Sequence, residues 1–210
     1  MKSTKFALAA AGLSLLSSVA SAEVYLGIGG GMTRSNAAER LSQTFADYVT
    51  VDKKEDSNAA FIVYGGYAFN KHVAVEASYI DFGKYVASGR DWDGYSVSDS
   101  LAAKAFGLNV VGILPLGDKF SIDAKIGPGI VSQKYHCEDL YCSSLPDKTT
   151  RKIVVSGGVG ARWHASKNFA VRLAYEHFGG AKYEIERADG ASFSKSADYG
   201  LMYAGVEGRF

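Results

Sequence analysis

The stretch from Ile153 to His164 reads IVVSGGVGARWH, and its alternation of apolar and polar residues indicates the fold of this chain. Side chains of a β-strand point alternately to opposite faces, so every second residue of the stretch shares a face. The apolar face carries Ile153, Val155, Val159, Ala161 and Trp163. The opposite face is small and polar and carries Ser156, Gly158, Gly160, Arg162 and His164. The pattern predicts a strand with one apolar face and one charged, glycine-rich face.

The same division of faces recurs in other parts of the chain. Between 169 and 176, the apolar Phe169, Val171, Leu173 and Tyr175 alternate with Ala170, Arg172, Ala174 and Glu176. Between 120 and 126, Phe120, Ile122, Ala124 and Ile126 alternate with Ser121, Asp123 and Lys125. We predict eight such strands, near residues 23–33, 58–69, 73–83, 101–114, 119–132, 152–164, 169–181 and 197–210.

The connections between these strands are predicted to be tight and long in alternation. The tight ones are 70–72, 117–118 and 166–168, and the long ones are 34–57, 84–100, 133–151 and 182–196. Strands of about 9 to 11 residues are long enough to cross a bilayer when tilted. The sequence therefore predicts an all-β fold, an eight-stranded antiparallel up-and-down transmembrane β-barrel with short periplasmic turns and long extracellular loops.

Alternation alone leaves open which solvent the apolar face meets. A soluble, lipocalin-like barrel that binds a ligand would turn this face inward, and a membrane barrel would turn it toward lipid. Aromatic residues favour the membrane, because the apolar faces end on the turn side in a predicted interfacial girdle. The girdle consists of Phe69, Phe120, Trp163, Phe169 and Phe210.

The composition agrees with a strand-rich chain. Its 210 residues include 24 Gly, 13 Tyr and 11 Phe but only 3 Pro, which favours aromatic-rich strands over packed helices. The formal net charge of +1 gives no reason to expect a nucleic-acid partner. After the first two dozen residues no apolar run approaches the roughly 18 residues of a membrane-spanning helix, so a helical membrane protein is excluded.

The N-terminal segment predicts export. Lys2 and Lys5 precede an apolar run over 6–16, and Ala20-Ser21-Ala22 forms a cleavage box. We predict a signal peptide at 1–22 and a barrel domain at 23–210. Because the exported chain enters an oxidising compartment, Cys137 and Cys142 are predicted to form a disulfide. Two free thiols, or a metal site that also uses His136, are the alternatives. No cofactor is predicted.

Three segments and the C-terminal strand carry a resemblance to a known family. They are YLGIGGG at 25–31, EASYIDFG at 76–83, KIGPG at 125–129 and the last strand, which ends in Phe210. The chain resembles the small eight-stranded outer-membrane β-barrels typified by the OmpA transmembrane domain and by the OmpX and Ail proteins. The resemblance implies the bacterial outer membrane as location, outer-membrane lipid and lipopolysaccharide as surroundings, and Phe210 as a signal to the barrel-assembly machinery. No peptidoglycan-binding domain is expected after the eighth strand.

The inward faces of the predicted strands carry charges of both signs. The four acids are Glu76, Asp123, Glu176 and Glu207, and the four bases are Lys125, Arg162, Arg172 and Arg209. An eight-stranded barrel is just wide enough to be filled by side chains, and buried charges are tolerated only when they are paired. A selective pore would favour a ring of one sign. We therefore predict a structural plug rather than a permeation path.

The loops are predicted to carry any specific activity. Asp93-Gly94 and Asp189-Gly190 each lie between alternating arms and predict two projecting hairpins. The segment from Asn36 to Tyr48 predicts a short amphipathic helix. Pro128 lies inside a predicted strand and must delete a ladder hydrogen bond, so we expect a bulge or bend there.

No catalytic residue is predicted. A lipid A-modifying enzyme is the alternative, but His177 has no nucleophile nearby in sequence, and the pairing of His164 with Ser166 at a turn is more easily accidental than catalytic. The function predicted is that of a monomeric, non-enzymatic outer-membrane barrel. Its role is structural or adhesin-like, with a host or environmental ligand bound by the loops.

Overall fold

The computed structural model describes residues 23–37, 39, 49–55, 57–91, 96–137, 148–186 and 192–210. The described strands are β1 Glu23–Ser35, β2 Val49–Glu55, β3 Ser57–Asn70, β4 Val73–Asp91, β5 Ser96–Pro115, β6 Phe120–Cys137, β7 Lys148–His164, β8 Phe169–Glu186 and β9 Ser192–Arg209. Within this described part, no helix is long and apolar enough to cross a membrane.

Eight of these strands close into an antiparallel barrel, which confirms the predicted fold. The ladder runs β4-β3-β1-β9-β8-β7-β6-β5, and pairing of β4 with β5 closes it. The first and last strands pair directly, with Tyr25 opposite Arg209 and Ser35 opposite Tyr199. Because each strand pairs with its neighbour in the chain, apart from the short β2, the topology is up-and-down.

The exposed fractions of the side chains show on which side of the barrel wall the apolar residues lie. Ile153 is 79% exposed, Val155 is 68% exposed and Leu173 is 53% exposed. Their neighbours in the chain Val154, Ser156 and Arg172 are buried. The apolar face therefore points away from the barrel axis, and the lipocalin-like alternative is wrong. A wall of large exposed apolar side chains on all eight barrel strands needs acyl chains as its solvent.

The strand β2 was not predicted. It lies in the first long loop and pairs with the loop-side part of β4, with Val49 opposite Asp91 and Glu55 opposite Val86. It is too short to cross a membrane and takes no part in closing the barrel. Most of the predicted amphipathic helix, residues 38 and 40–48, lies outside the described residues.

Two pairs of strands continue beyond the predicted boundaries and form the arms of the predicted hairpins. β4 and β5 stay paired to Arg90 opposite Ser96, and β8 and β9 stay paired to Glu186 opposite Ser192. The tips at 92–95 and 187–191 lie outside the described residues. Each long ladder contains one bulge, at Gly83 and at Gly180, where φ is +80° and +69°. Glycine adopts this left-handed backbone without the steric cost that a Cβ adds.

The bulge expected at Pro128 is absent. The registers of β6 with β5 and with β7 are the same on both sides of Pro128, although the ladder with β5 lacks pairs at Gly127 and Pro128. Residues beyond it keep their phase, because Ile130 is exposed and Val131 is buried. The missing pairs agree with the ladder hydrogen bond that Pro128 was expected to delete. A Cβ on Gly127 would lie 2.0 Å from the carbonyl oxygen of Leu108, so the two backbones approach more closely than any other residue allows.

Candidate functional site: the filled barrel interior

The centre of the interior is an ionic cluster built around Arg172 and Lys125. Arg172 donates to Glu76 Oε2 and to Asp123 Oδ2, each at 2.7 Å. Lys125 donates to Glu76 Oε1 at 2.6 Å and also to Glu176 Oε1. All five side chains are almost fully buried. Each cation thus bridges two carboxylates, which compensates much of the cost of removing these charges from water.

Arg162 extends this cluster toward the turn side of the barrel. Its Nε lies 3.3 Å from Glu207 Oε2 and 3.6 Å from Asp123 Oδ1, and its Nη2 lies 3.6 Å from Glu76 Oε2. Arg209 lies at the mouth, 3.4 Å from Glu207 Oε1 and 3.5 Å from Glu23. The structure therefore brings the eight charged residues singled out in the sequence, four acids and four bases, into one network, which Glu23 joins at the mouth.

Two tyrosines that the sequence analysis did not single out support the arginines. The guanidinium carbon of Arg162 lies 5.2 Å from the ring centre of Tyr25, and that of Arg172 lies 5.0 Å from the ring centre of Tyr64. The Tyr25 hydroxyl also donates to Glu76 Oε2 at 3.0 Å. These contacts are cation–π interactions between buried groups, where they are stronger than at a surface.

Each of these tyrosine rings lies against a glycine on the neighbouring strand. An ideal Cβ placed on Gly27 would come 2.3 Å from Tyr64 Cζ, and one on Gly66 would come 2.3 Å from Tyr25 Cζ. The glycines of YLGIGGG at 25–31 therefore include a position where the ring of Tyr64 fills the space of the missing side chain. The same stacking of a glycine, a tyrosine ring and an arginine therefore occurs at two places in the interior.

Replacing Gly27 with alanine is expected to destabilise the barrel by about 1–3 kcal/mol, because the new methyl group displaces the Tyr64 ring that supports Arg172. The measurement is the urea midpoint of unfolding in lipid vesicles. Gly30→Ala is the matched control on the same strand, since its Cβ would meet only the Ala60 carbonyl oxygen at 3.8 Å. Equal midpoints for the two variants would contradict the proposed glycine–tyrosine–arginine stacking.

The loop-side half of the interior is mainly aromatic and aliphatic, with a few buried polar side chains such as Thr33, Ser100 and Gln133, and this composition was not predicted. Phe82 packs edge-on against Phe178 with ring centres 5.7 Å apart and stacks on Tyr199 at 5.1 Å. Tyr85 lies 5.9 Å from Tyr199, and Leu201 is fully buried beside them. Phe82 and Phe178 share the inward phase of Glu76 and Glu176, so extending the period-two pattern along each strand was the signal that could have identified them.

The aromatic residues predicted for the girdle all lie at turn-side strand ends with exposed side chains. Their exposed fractions run from 40% for Phe69 to 77% for Phe210. Phe120 lies directly opposite Trp163, and Phe210 exchanges backbone hydrogen bonds with Val24. A second exposed aromatic group was not predicted, namely Phe61, Tyr79 and Phe106 toward the loop side.

The two histidines considered as catalytic candidates have different surroundings. His177 is outward-facing, and its cross-strand partners are Gly157 and Gly200. His164 contacts Ser121, not Ser166, with Ser121 Oγ 3.0 Å from its Nε2. Its other ring nitrogen lies 3.4 Å from Arg209, where a catalytic triad would have a carboxylate. A guanidinium cannot stabilise an imidazolium, so this arrangement lacks the carboxylate of a Ser-His-Asp triad.

Two further predictions concern metal and disulfide chemistry. Among the described residues, no three His, Cys, Asp or Glu side chains are placed to hold a metal ion. Cys142 and the side chain of Cys137 lie outside the described residues, so the disulfide stays a prediction.

Comparison with known proteins gives a family and a set of similar folds. The model of the OmpA-like transmembrane domain family matches residues 19–209. No curated protein matches the chain in sequence. Among solved structures, OprG of Pseudomonas aeruginosa has a TM-score of 0.61 at 13% identity, covering 90% of this chain and 96% of that one.

Two further structures have the same fold. Ail, the attachment invasion locus protein of Yersinia pestis, has a TM-score of 0.51 at 15% identity and covers 90% of this chain and 99% of its own. Another structure of Ail contains the heparin analogue sucrose octasulfate. Neisserial surface protein A has a TM-score of 0.53 at 12% identity, with coverages of 89% and 97%. At these identities the likeness concerns the fold.

Proposed function

Because this chain belongs to the OmpA-like transmembrane domain family, we propose that it is a sealed outer-membrane barrel that acts at the bacterial surface through its loop-side hairpins. The observation that carries this proposal is the filled interior. The ionic cluster occupies the turn-side half and the Phe82–Phe178–Tyr199 aromatic group occupies the loop-side half. In the described part of the chain these two groups block the barrel interior, which leaves no continuous aqueous path for solutes, so activity is expected on its outer surfaces.

The extended hairpins support an adhesin-like role over a purely structural one. The β4–β5 and β8–β9 arms remain paired well past the exposed aromatic residues Tyr79 and Phe106, so they carry backbone and side chains above the apolar band. A barrel that serves only to brace the membrane does not need such extensions. In Ail, which shares the fold, a bound sulfated sugar has been observed, and a host or environmental ligand of these hairpins is the partner we propose.

The route to the membrane follows from the same assignment. We propose that residues 1–22 are a signal peptide that is removed on export. The C-terminal strand, ending in the exposed Phe210, is proposed to engage the barrel-assembly machinery. The mature protein is proposed to be a monomer with a disulfide between Cys137 and Cys142.

Shortening both projecting hairpins is expected to reduce adherence several-fold while leaving the barrel intact. The registers define the junctions, since Lys182 lies opposite Ser196 and Val86 lies opposite Ser100. Joining each pair through an Asn-Gly turn removes the arms, and with the β4 arm the pairing partner of β2, without altering the barrel ladder below them. The measurement is adherence of bacteria that express the protein to an epithelial cell monolayer, with several-fold loss expected. Heat-modifiable migration in gel electrophoresis monitors folding.

The control is an Asn-Gly turn in place of Gly117-Asp118, a tight turn at the opposite end of the barrel. Gly117 has a φ of +81°, a conformation that asparagine tolerates. This variant is expected to adhere like the unmodified protein. If bacteria with the unmodified protein adhere no better than bacteria without it, the adhesin-like role is wrong and the structural role remains.

A further inference from the structure

A cavity of about 550 Å³ lies at the turn-side mouth of the barrel, at the opposite end from the projecting hairpins. We call it the mouth cavity. Its lining draws on all three tight turns and on both ends of the barrel domain. The lining includes Arg209 but no other member of the eight-residue charge network, so the cavity lies outside the filled interior. Cavities of this size hold small organic molecules.

Positive side chains outnumber negative ones in the mouth cavity. The four cations of its lining are Lys71, Lys119, Lys167 and Arg209, and its two carboxylates are Glu23 and Asp118. Glu23 lies 3.5 Å from Arg209, and no carboxylate in the described part of the chain forms an ion pair with any of the three lysines. Four cations against two carboxylates leave an excess of two positive charges, which a bound anion would neutralise.

Hydrogen bonds between the turns and the neighbouring strands hold the rim of the cavity in place. The turn that carries Lys119 is joined to β7, because the His164 N–H donates to the Lys119 carbonyl at 2.8 Å. The turn that carries Lys167 is joined to β9, because the Arg209 N–H donates to the Asn168 carbonyl at 3.0 Å. The remaining tight turn is joined to β5 in the same way. The backbone of the site is therefore ordered before a ligand binds, which lowers the entropic cost of binding.

The innermost polar groups of the cavity present hydrogen-bond donors. His164 Nδ1 lies 3.4 Å from Arg209 Nη1, and a guanidinium only donates, so Nδ1 is the acceptor in this contact. The proton of the neutral imidazole is then on Nε2, which donates to Ser121 Oγ at 3.0 Å. This arrangement leaves the hydroxyl proton of Ser121 available to a ligand.

Arg209 also keeps unused donors. Its contacts with Glu207 and Glu23 measure 3.4 and 3.5 Å, whereas Arg172 makes two contacts at 2.7 Å. Charge-assisted hydrogen bonds are usually about 2.7–2.9 Å long, so neither contact of Arg209 is a strong one. Among the described residues its Nε is buried without a hydrogen-bond partner. A planar guanidinium with free N–H groups beside a hydroxyl donor suits the recognition of phosphate oxygens.

We propose that the mouth cavity binds the phosphate group of a small soluble monoester such as a sugar phosphate. Arg209 and Ser121 donate to the phosphate oxygens, and the lysines of the rim supply the remaining positive charge. A phosphate monoester carries a charge of about −1.5 to −2 at neutral pH, which matches the excess in the lining. The volume leaves room for the organic part of the ligand.

The proposal rests on the proposed function only for the location of the cavity, which faces the periplasm when the hairpins lie outside. Removal of residues 1–22, as proposed above, would add the α-ammonium group of Glu23 to the positive charge at this mouth.

The test titrates glucose 6-phosphate into the processed, folded protein in a nonionic detergent at low ionic strength and follows binding by calorimetry. We expect the unmodified protein to bind glucose 6-phosphate and not to bind glucose. The variant Lys71→Gln/Lys119→Gln/Lys167→Gln is expected to bind at least about tenfold more weakly, because one opposite charge about 4 Å away contributes about fivefold even in water.

The matched control removes three charges from the exposed outer wall at the other end of the barrel, through Lys84→Gln/Lys104→Gln/Arg151→Gln. It changes the net charge of the protein equally and is expected to bind within about twofold of the unmodified protein, because distant exposed charges are screened. Lys71→Arg/Lys119→Arg/Lys167→Arg keeps the charges of the rim and is expected to retain binding. Heat-modifiable migration shows that each variant is folded.

Three results would overturn the site. They are no binding of glucose 6-phosphate to the unmodified protein, equal losses in the two glutamine variants, and equal affinity for succinate, which would show that a carboxylate suffices. Equal affinity for inorganic phosphate would overturn the assignment of a monoester.

This experiment is separate from the test of adherence. The protein with shortened hairpins is expected to bind glucose 6-phosphate normally, and bacteria that carry the lysine variant are expected to adhere normally. A failure of the adhesin-like role therefore leaves the mouth cavity standing, and a failure to bind phosphate leaves the adhesin-like role standing.

Discussion

Replacing Arg172 with alanine is expected to lower the stability of the barrel by about 3–5 kcal/mol, the usual cost of removing one partner from a buried ion pair. Glu76 would keep Lys125 but lose its bond to Arg172 at 2.7 Å, and Asp123 would keep only Arg162 at 3.6 Å. The Tyr64 ring would also lose the guanidinium that it faces. The measurement is the urea dependence of unfolding in lipid vesicles, read from the bands of folded and unfolded protein in gel electrophoresis.

The control for this experiment is Arg151→Ala, which removes an exposed arginine from the outer wall and is expected to change stability by less than about 0.5 kcal/mol.

Single-channel recording of the same proteins tests whether the ionic cluster plugs the barrel. The unmodified barrel is expected to carry no large stable current, and Arg172→Ala is expected to change stability more than conductance. A large stable current through the unmodified protein, or equal stability losses in the two variants, would show that the cluster is not a structural plug.

Phe178→Ala is expected to cost about 3–5 kcal/mol through the cavity that it leaves in the loop-side half of the interior. Phe178 is fully buried, contacts Phe82 and lies over Gly129, where a Cβ would come 2.8 Å from its ring. No small neighbour can move in to fill the space, since the surrounding backbone belongs to a closed ladder. The same urea titration in vesicles measures the loss.

Phe106→Ala is the matched control for the aromatic group, because Phe106 is 48% exposed and faces outward. Acyl chains can fill the space that this side chain leaves, so we expect a loss of less than half that of Phe178→Ala. Phe178→Leu is expected to recover part of the lost stability, since it restores most of the volume. If Phe106→Ala is as costly as Phe178→Ala, the interior aromatic group does not contribute a packed core.

Much of the fold could be predicted from local pattern. The alternation of IVVSGGVGARWH assigned Ile153 and Val155 to lipid and Arg162 to the interior, and the exposed fractions agree. The period of two is a property of a single strand, so it needs no knowledge of neighbours. The tight turns were predicted for the same reason, because Gly and Asn at these positions act within a few residues.

Other features depend on neighbouring strands, and the predictions from the sequence missed these features or were wrong about them. β2 forms because the extended outer part of β4 offers it a partner, and its own seven residues carry too weak a pattern. The bulge expected at Pro128 does not occur, and the ladder between β5 and β6 loses only its pairs at Gly127 and Pro128. The pairing of His164 with Ser121, 43 residues away, also depends on strand register.

The alternation along each strand is enough to assign side chains to lipid or to the interior, because facing is set residue by residue within one strand. Which inward residues meet depends on how the strands are aligned in the folded barrel. Glu76 and Arg172 are 96 positions apart, and their contact depends on the registers accumulated around the closed barrel. A shift of one residue in any ladder would turn every side chain of that strand to the other face, so the ion pairs and the apolar wall are specified together by closure.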